Sequence, residues 1–546
     1  MTHRGRFMSG VVAFALVAGR PGAAGRSGVS PSQATADVPA AIHAIIVGQR
    51  MSVSGPFAPG EREPMTALYA PGADAPLWVD ASGRPGRDAR DALALLTHAA
   101  DEGLDPSDYA AAALQRAATA LEAMPAPAPD VAAFDTGLSV STLRYLQHVH
   151  QGRVDPRAIG FRMHAPPDNH DFAAILREAL AGHRIPATAA DFTPPLPLYR
   201  NLRSMLARYR LLAADATLEA LPPPGAPVHP GGPYPGAHAL VRRLVALGDL
   251  PADTSGPALS PQLYDGALVD GVQHFQMRHG LDADGVLGRA TQAALNVPLA
   301  WRVRQIELAL ERLRWLPHLG DERLVAVNIP MFRLWAWNAI PPDGAPSFET
   351  GVIVGRALNT QTPVFVEEMR YIIFRPYWNV PPSILRHEIL PALARNPDYL
   401  LRHDMEVVSA PGAPLRVRQR PGVKNSLGLV KFVFPNDDNV YLHGTPVPAL
   451  FSRARRDFSH GCVRVEDPVA LAEWALADQP EWTRDRILAA MHADASRRVD
   501  LARPIRVILF YITAVVTAED GAIRFADDIY GHDTKLDRML RRPPAP

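Results

Sequence analysis

A multidomain α+β chain is predicted by three observations. The 546 residues exceed what one hydrophobic core organises. The first half reads as helical and ends in a Pro/Gly-rich run, Leu221 to Gly236, in which neither a helix nor a central strand can form. From about residue 321 onward the chain breaks into short β-rich runs without regular intervening helices, which favours a mixed or antiparallel β-sandwich-like domain over a doubly wound sheet.

Each unit has its own signals. In the helical scaffold, 38–220, Ala92, Leu95, Leu96 and Ala99 recur at helical spacing before Gly103, and a second helix is expected from Leu138 to His150. His148 and His150 invite a metal reading, but no carboxylate or further histidine accompanies them, so they read as structural. After the linker, 221–236, three short helices are expected within 237–298: Ala239 to Leu247, one around Leu268, Val272 and Phe275, and one ending at Leu295, with a turn at Asp284-Gly285. A charged connecting helix, Val303 to Leu316 within 299–320, leads to the β-rich domain, 321–500. Its expected strands are Leu324 to Ile329, Leu334 to Trp337, Val352 to Val354, Arg370 to Phe374, Lys431 to Phe434 and Val440 to Leu442. The helical piece Ile384 to Ala394 breaks that rhythm and marks 382–420 as an inserted cap. A helix near Val469 to Leu476 follows, and 501–546 reads as a C-terminal β-rich extension.

Arg4 and Arg6, the apolar run Met8 to Ala18 and the small residues near Ala23-Ala24 have the layout of a secretory signal peptide over 1–25, weakened by Arg20. No other stretch approaches the roughly 20 apolar residues of a spanning helix, so no integral span is expected in the mature chain. With 56 basic and 56 acidic residues the net charge is +0, which gives no pointer to nucleic acid. A single cysteine excludes an intramolecular disulfide and leaves either a buried small hydrophobe or a reactive thiol.

That cysteine, Cys462, lies in Ser459-His460-Gly461-Cys462. Acyl transfer needs a nucleophile, a base and donors for the oxyanion. Two histidines are candidate bases: His460, and His443 at the end of an expected strand. If the Cys462 turn leads into the adjacent strand, His443 faces the thiol while His460 braces the loop. Gly461 lets the backbone turn so that N–H groups near Gly461 and Cys462 converge on one oxygen. Ser459 and Thr445 can bond an imidazole or the loop, and the Gly444 carbonyl can fix the His443 tautomer. No His-Glu-x-x-His spacing and no phosphate-cradling Gly-rich loop is present, so neither metal nor organic cofactor is expected.

Two resemblances follow. Val272, Phe275-Gln276, Gly280-Leu281, Asp284-Gly285, Gly288, Thr291 and Leu295-Asn296 resemble the pattern of the small three-helix peptidoglycan-binding domain. The string Tyr441-Leu442-His443-Gly444-Thr445 followed by Ser459-His460-Gly461-Cys462-Val463-Arg464 resembles the active-site signature of the L,D-transpeptidase catalytic domain. Val354-Gly355, Thr362-Pro363, Pro376 to Pro381, Pro421 to Asn425, Gly428 and Phe434 to Asn436 agree with it. With scaffold, module and cap, the chain is similar to the large periplasmic L,D-transpeptidases.

That resemblance implies an exported enzyme of cell-wall biogenesis, placed in the periplasm, in which Cys462 attacks a tetrapeptide stem, His443 carries the proton, and a second stem's diamino-acid side chain resolves the thioester into a 3→3 cross-link. It implies Gly444 as the orienting carbonyl, the His460 to Cys462 backbone as oxyanion hole, Tyr441 lining that hole, acylation by carbapenem-type β-lactams, and other cell-wall synthases as partners. Ser459, Arg464 and Trp378 are candidate substrate contacts. Alternatively Arg464 pairs with Glu466 or Asp467, and Trp378 is core. Arg453, Arg455 and Arg456 form either a basic rim or a solvated loop. Hydrolysis of the same thioester would make an L,D-carboxypeptidase, a protein lysine as acceptor would make an anchoring enzyme, and loss of activity would leave a wall-binding protein.

Overall fold

The computed structural model describes residues 37–541 except 164–168, 256–262, 318, 358–359, 410–411 and 413. The expected leader lies outside the described residues. Among the described residues no helix is long and apolar enough to cross a membrane.

The β-rich domain is built on one nine-stranded mixed sheet: β1 Leu324–Asn328, β2 Arg333–Trp337, β3 Phe348–Gly355, β4 Phe365–Phe374, β5 Val430–Val433, β6 Leu442–His443, β7 Asp457–Ser459, β8 Val463–Val465 and β9 Arg497–Phe510. Their order is β7-β3-β8-β6-β5-β4-β9-β1-β2, and β2 also pairs with β3. The expected sandwich is therefore realised as a sheet that closes on itself, which leaves few unpaired edges. Inward residues alternate along each strand: Val325 and Val327, Leu334 and Ala336, Val352 and Val354, Val430 and Phe432, Leu442, Val463 and Val465, Val507 and Leu509 all belong to one buried cluster.

Strand β9 departs from expectation. Expected to belong to a C-terminal extension, it runs through the middle of the sheet, antiparallel to β4 and parallel to β1. Its first half carries Arg497, Arg498, Asp500, Arg503 and Pro504, which hides the apolar alternation. A register shift between Asp500 and Ile505 accommodates the proline, which cannot donate to a ladder. The scaffold helix also differs, spanning Ala128–Gln151 rather than starting at Leu138. It is buried on nearly every side, Asp135, Thr136, Ser139, Ser141 and Thr142 included, so no amphipathic period marks its first turns.

The helices Pro197–Ala214, Ala237–Leu247, Ala267–Arg278 and Leu299–Leu313 share one core with the hairpin Ala514–Val516 and Ile523–Phe525. Buried ion pairs cross the same junction, Arg312 with Asp533 and Arg278 with Asp249. The helix Leu299–Leu313 is thus the shared wall of scaffold, small module and β domain.

Inside the scaffold, fully buried Asp135 accepts hydrogen bonds from the Tyr69 hydroxyl at 2.6 Å and from the Leu77 and Trp78 N–H groups at 3.1 and 2.8 Å. Burial pushes its carboxyl up to about 6, opposed by those bonds. Replacing Asp135 with Ala leaves the Leu77 and Trp78 N–H groups without their acceptor and the Tyr69 hydroxyl with Ser139 alone, and chemical denaturation is expected to give a loss of roughly 3 kcal/mol.

Candidate active site

The site follows from strand register. In β5 and β6, Lys431 lies opposite His443 and Phe432 opposite Leu442. In β6 and β8, Leu442 is level with Val463 and His443 with Arg464. Phe432, Leu442 and Val463 point into the core, so Lys431, His443 and Arg464 point to the other face. Cys462 and Tyr441 each precede an inward residue and share that outer face, with the Val463 N–H donating to the Tyr441 carbonyl at 3.1 Å. Residues far apart in sequence therefore meet on neighbouring strands, about 5 Å apart.

His443 is buried, and its Nδ1 lies 2.6 Å from the Gly444 carbonyl. A carbonyl can only accept, so Nδ1 carries the proton and Nε2 is left as the unprotonated nitrogen, free to accept one. Burial first, then the positive charge of Arg464, pulls the imidazole down to about 3. Burial pushes the Cys462 thiol up, opposed by hydrogen bonds from the Tyr441 backbone and hydroxyl and by the charges of Lys431 and Arg464. The resting pair is a neutral thiol and a neutral imidazole. The thiol donates to the Asn439 carbonyl at 3.7 Å, a long, weak sulfur contact.

The loop before β8 is held from several sides. Gly461 has φ +112, a region closed to most side chains. Its N–H donates to Ser459 Oγ at 3.1 Å, and its carbonyl accepts from Thr362 Oγ1 at 2.8 Å. Ser459 Oγ donates to the Cys462 carbonyl at 2.5 Å, so Ser459 shapes the loop. Tyr530 donates to the Gly355 carbonyl at 2.5 Å and accepts from the Thr362 N–H at 3.2 Å. Behind His443, Gly428 has φ +64, and a Cβ there would meet the Thr445 N at 2.6 Å.

His460 points away from the thiol. Its Nε2 lies 2.6 Å from Glu388 Oε1 in the capping segment. Glu388 sits in a π-helical turn, Leu385–Ile389, of the kind frequent at functional sites. Trp378 belongs to the cap: Trp378–Asn379 pairs with Val417–Gln419, which pairs with Met405–Val407, and its ring packs against Val380, Ile384, Leu385, Ile389 and Val417. Arg455 pairs with Asp457, and Arg456 donates to the Phe332, Val352 and Phe451 carbonyls, so both serve the loop rather than a basic rim. Among the described residues no ion pair joins Arg464 to Glu466 or Asp467, and Asp467 instead caps the helix Pro468–Ala475.

Lys431, Glu388, Asn439 and Tyr530 are additions to the residues singled out from sequence. Only Lys431 had a local signal, since pairing the expected strands around it and His443 as a hairpin puts the two side by side.

Among the described residues no group of three His, Cys, Asp or Glu side chains could hold a metal. His148 bonds Tyr109 at 2.9 Å, and burial pulls its imidazole down to about 3. A separate cavity of about 410 Å³ is lined by Met277, Trp335, Trp337, Arg333, Arg455 and Arg524 among others. Arginines of its lining are already paired, Arg333 with Glu349, Arg455 with Asp457 and Arg524 with Asp520.

Residues 322–488 match the model of the L,D-transpeptidase catalytic domain, residues 63–206 that of a scaffold domain, and residues 234–295 that of a "Putative peptidoglycan binding domain". The chain is 30% identical over 249 residues to a "Putative L,D-transpeptidase" of Haemophilus influenzae, covering 43% of this chain and 49% of the relative. It thus spans about half the length of the curated relative it matches.

Two outcomes are expected. Because the thiol is raised above its ordinary value of 9.0, its thiolate is scarce at pH 7 and grows as pH climbs, so iodoacetamide alkylation should keep accelerating beyond pH 9. A plateau near pH 7 would mean a resting ion pair. Gly428→Ala, whose Cβ would push on the chain holding the Gly444 carbonyl at a left-handed φ, should lower activity by roughly 10²-fold and also lower the melting temperature, whereas an unchanged activity would mean that this close approach does not set the His443 geometry.

Proposed function

We propose, for a chain that carries an L,D-transpeptidase catalytic domain together with scaffold and peptidoglycan-binding domains, that Cys462 is the nucleophile and His443 the base of an acyl transfer between peptidoglycan stem peptides. The observation that carries this reading is the shared face of β5, β6 and β8, which gathers thiol, imidazole and cations over an apolar inner face.

The steps follow from the groups present. His443 Nε2 takes the thiol proton as sulfur attacks the carbonyl between the third-position diamino acid and the terminal D-alanine. The tetrahedral oxyanion forms beside the Cys462 N–H and the Tyr441 hydroxyl. The Gly461 N–H, engaged by Ser459 here, is a secondary donor. Collapse returns the proton to the departing D-alanine amine and leaves a thioester. The side-chain amine of a second diamino acid then attacks, His443 takes its proton, and the thiol is regenerated with a 3→3 amide bond. Because thiol and imidazole both rest neutral, proton transfer accompanies attack, which is general-base catalysis. Such chemistry requires a location outside the cytoplasmic membrane, in agreement with the expected leader and with a periplasmic site of action.

Mass spectrometry after incubation with disaccharide-tetrapeptide should detect a 3→3 dimer, absent with Cys462→Ala. His443→Gln should lose at least about 10²-fold in rate. Tripeptide without dimer would make the protein a carboxypeptidase, and no product with no adduct on Cys462 would overturn the catalytic reading.

A further inference from the structure

Two cations stand beside the thiol without an opposing charge. Lys431 is half-buried, paired across the sheet with His443, and its Nζ sits 3.6 Å over the Tyr441 ring. Arg464 is level with His443 on the other side, and its Nε is buried with no hydrogen-bond partner. Arg356 lies close enough to repel Arg464. Among the described residues no carboxylate pairs with Lys431 or Arg464, and nearby carboxylates are committed elsewhere, Glu388 to His460 and Asp457 to Arg455. The cost is visible: desolvation pushes the Lys431 ammonium down, and the potential of Cys462 alone opposes it. Unpaired cations in a half-buried site are unfavourable unless an anion arrives. The 410 Å³ cavity is the opposite case, with Arg333, Arg455 and Arg524 of its lining paired within the protein.

We propose that Lys431 and Arg464 form a carboxylate-binding subsite beside Cys462 that takes a free carboxylate of the donor stem peptide and discriminates acid from amide at that position. The inference rests on the proposed stem-peptide reaction. Two carboxylates of a tetrapeptide donor flank the scissile bond, that of the terminal D-alanine and the free one on the side chain of the diamino acid. Arg464 supplies planar donors, and Lys431, held by the Tyr441 ring, a point charge.

The test uses the full chain carrying Cys462→Ala and calorimetric titration with three tetrapeptides: the free acid, the C-terminal amide, and the form amidated on the diamino-acid carboxylate. One amide is expected to bind at least tenfold more weakly than the free acid, which identifies the carboxylate. Adding Lys431→Met should bring all three affinities within about twofold, whereas Lys431→Arg should preserve the difference and separates loss of charge from misfolding. Equal affinities in the starting protein, no binding of any peptide, or an unchanged ratio in Lys431→Met would overturn the subsite. Product formation by the unmutated protein is scored separately, so a chain that discriminates the peptides but makes no dimer would sink the reaction and leave the subsite standing.

Discussion

The register of three short strands is the constraint on which everything at this site depends. Side chains alternate along a strand, so one residue of slippage in β6 would carry His443 into the core and Leu442 out of it. The inward set of Val430, Phe432, Leu442, Val463 and Val465 prevents this, each side chain contributing about 1.5–3 kcal/mol by burial. Groups that never approach a substrate therefore fix those that do. Gly428 and Gly444 belong to the same device, since their backbones pack so closely that the carbonyl orienting His443 has little room to move.

Burial and charge pull the Cys462 thiol in opposite directions. Desolvation raises the thiol and lowers the imidazole, which stabilises the neutral pair, while Lys431 and Arg464 favour the thiolate. Each unit of pKa is about 1.4 kcal/mol, so modest changes in cation placement alter the barrier to attack appreciably. Lys431 is itself held over the Tyr441 ring rather than by a carboxylate. A site of this kind keeps the thiol quiet while empty and concentrates positive potential where an oxyanion or a substrate carboxylate would appear.

How much of this was legible in the sequence depended on sequence distance. Cys462, Gly461 and Ser459 are neighbours, and His443 lies on the strand beside theirs, so local spacing carried the reading. Lys431 was missed because its relation to His443 exists only once the strands are in register. Glu388 lies in the cap, 72 positions from His460, and nothing in either sequence neighbourhood links them. Strand β9 was assigned to an extension because its arginines and Pro504 obscure the alternation that places Val507 and Leu509 in the core. The first turns of the helix Ala128–Gln151 were missed for the converse reason, since burial on all sides erases periodicity. The stop at Gly103 and the turn at Gly285 were legible because positive φ is a local demand, met at +70 and +68.

The C-terminal segment shows why the Cys462 loop cannot be treated as a local motif. Asp533 pairs with Arg312 at the end of the connecting helix and accepts from Thr513 at 2.5 Å, anchoring the chain that carries Tyr530. Asp528 accepts from Tyr511 at 2.7 Å, whose hydroxyl in turn accepts from the Tyr530 N–H at 3.0 Å. Tyr530 then grips Gly355 and Thr362, and Thr362 holds the Gly461 carbonyl. A series of buried and half-buried contacts thus runs from the helix shared by scaffold and small module to the peptide unit beside Cys462. The series fixes the geometry of the Cys462 loop, which is braced through Thr362 and Tyr530 against the chain that follows β9.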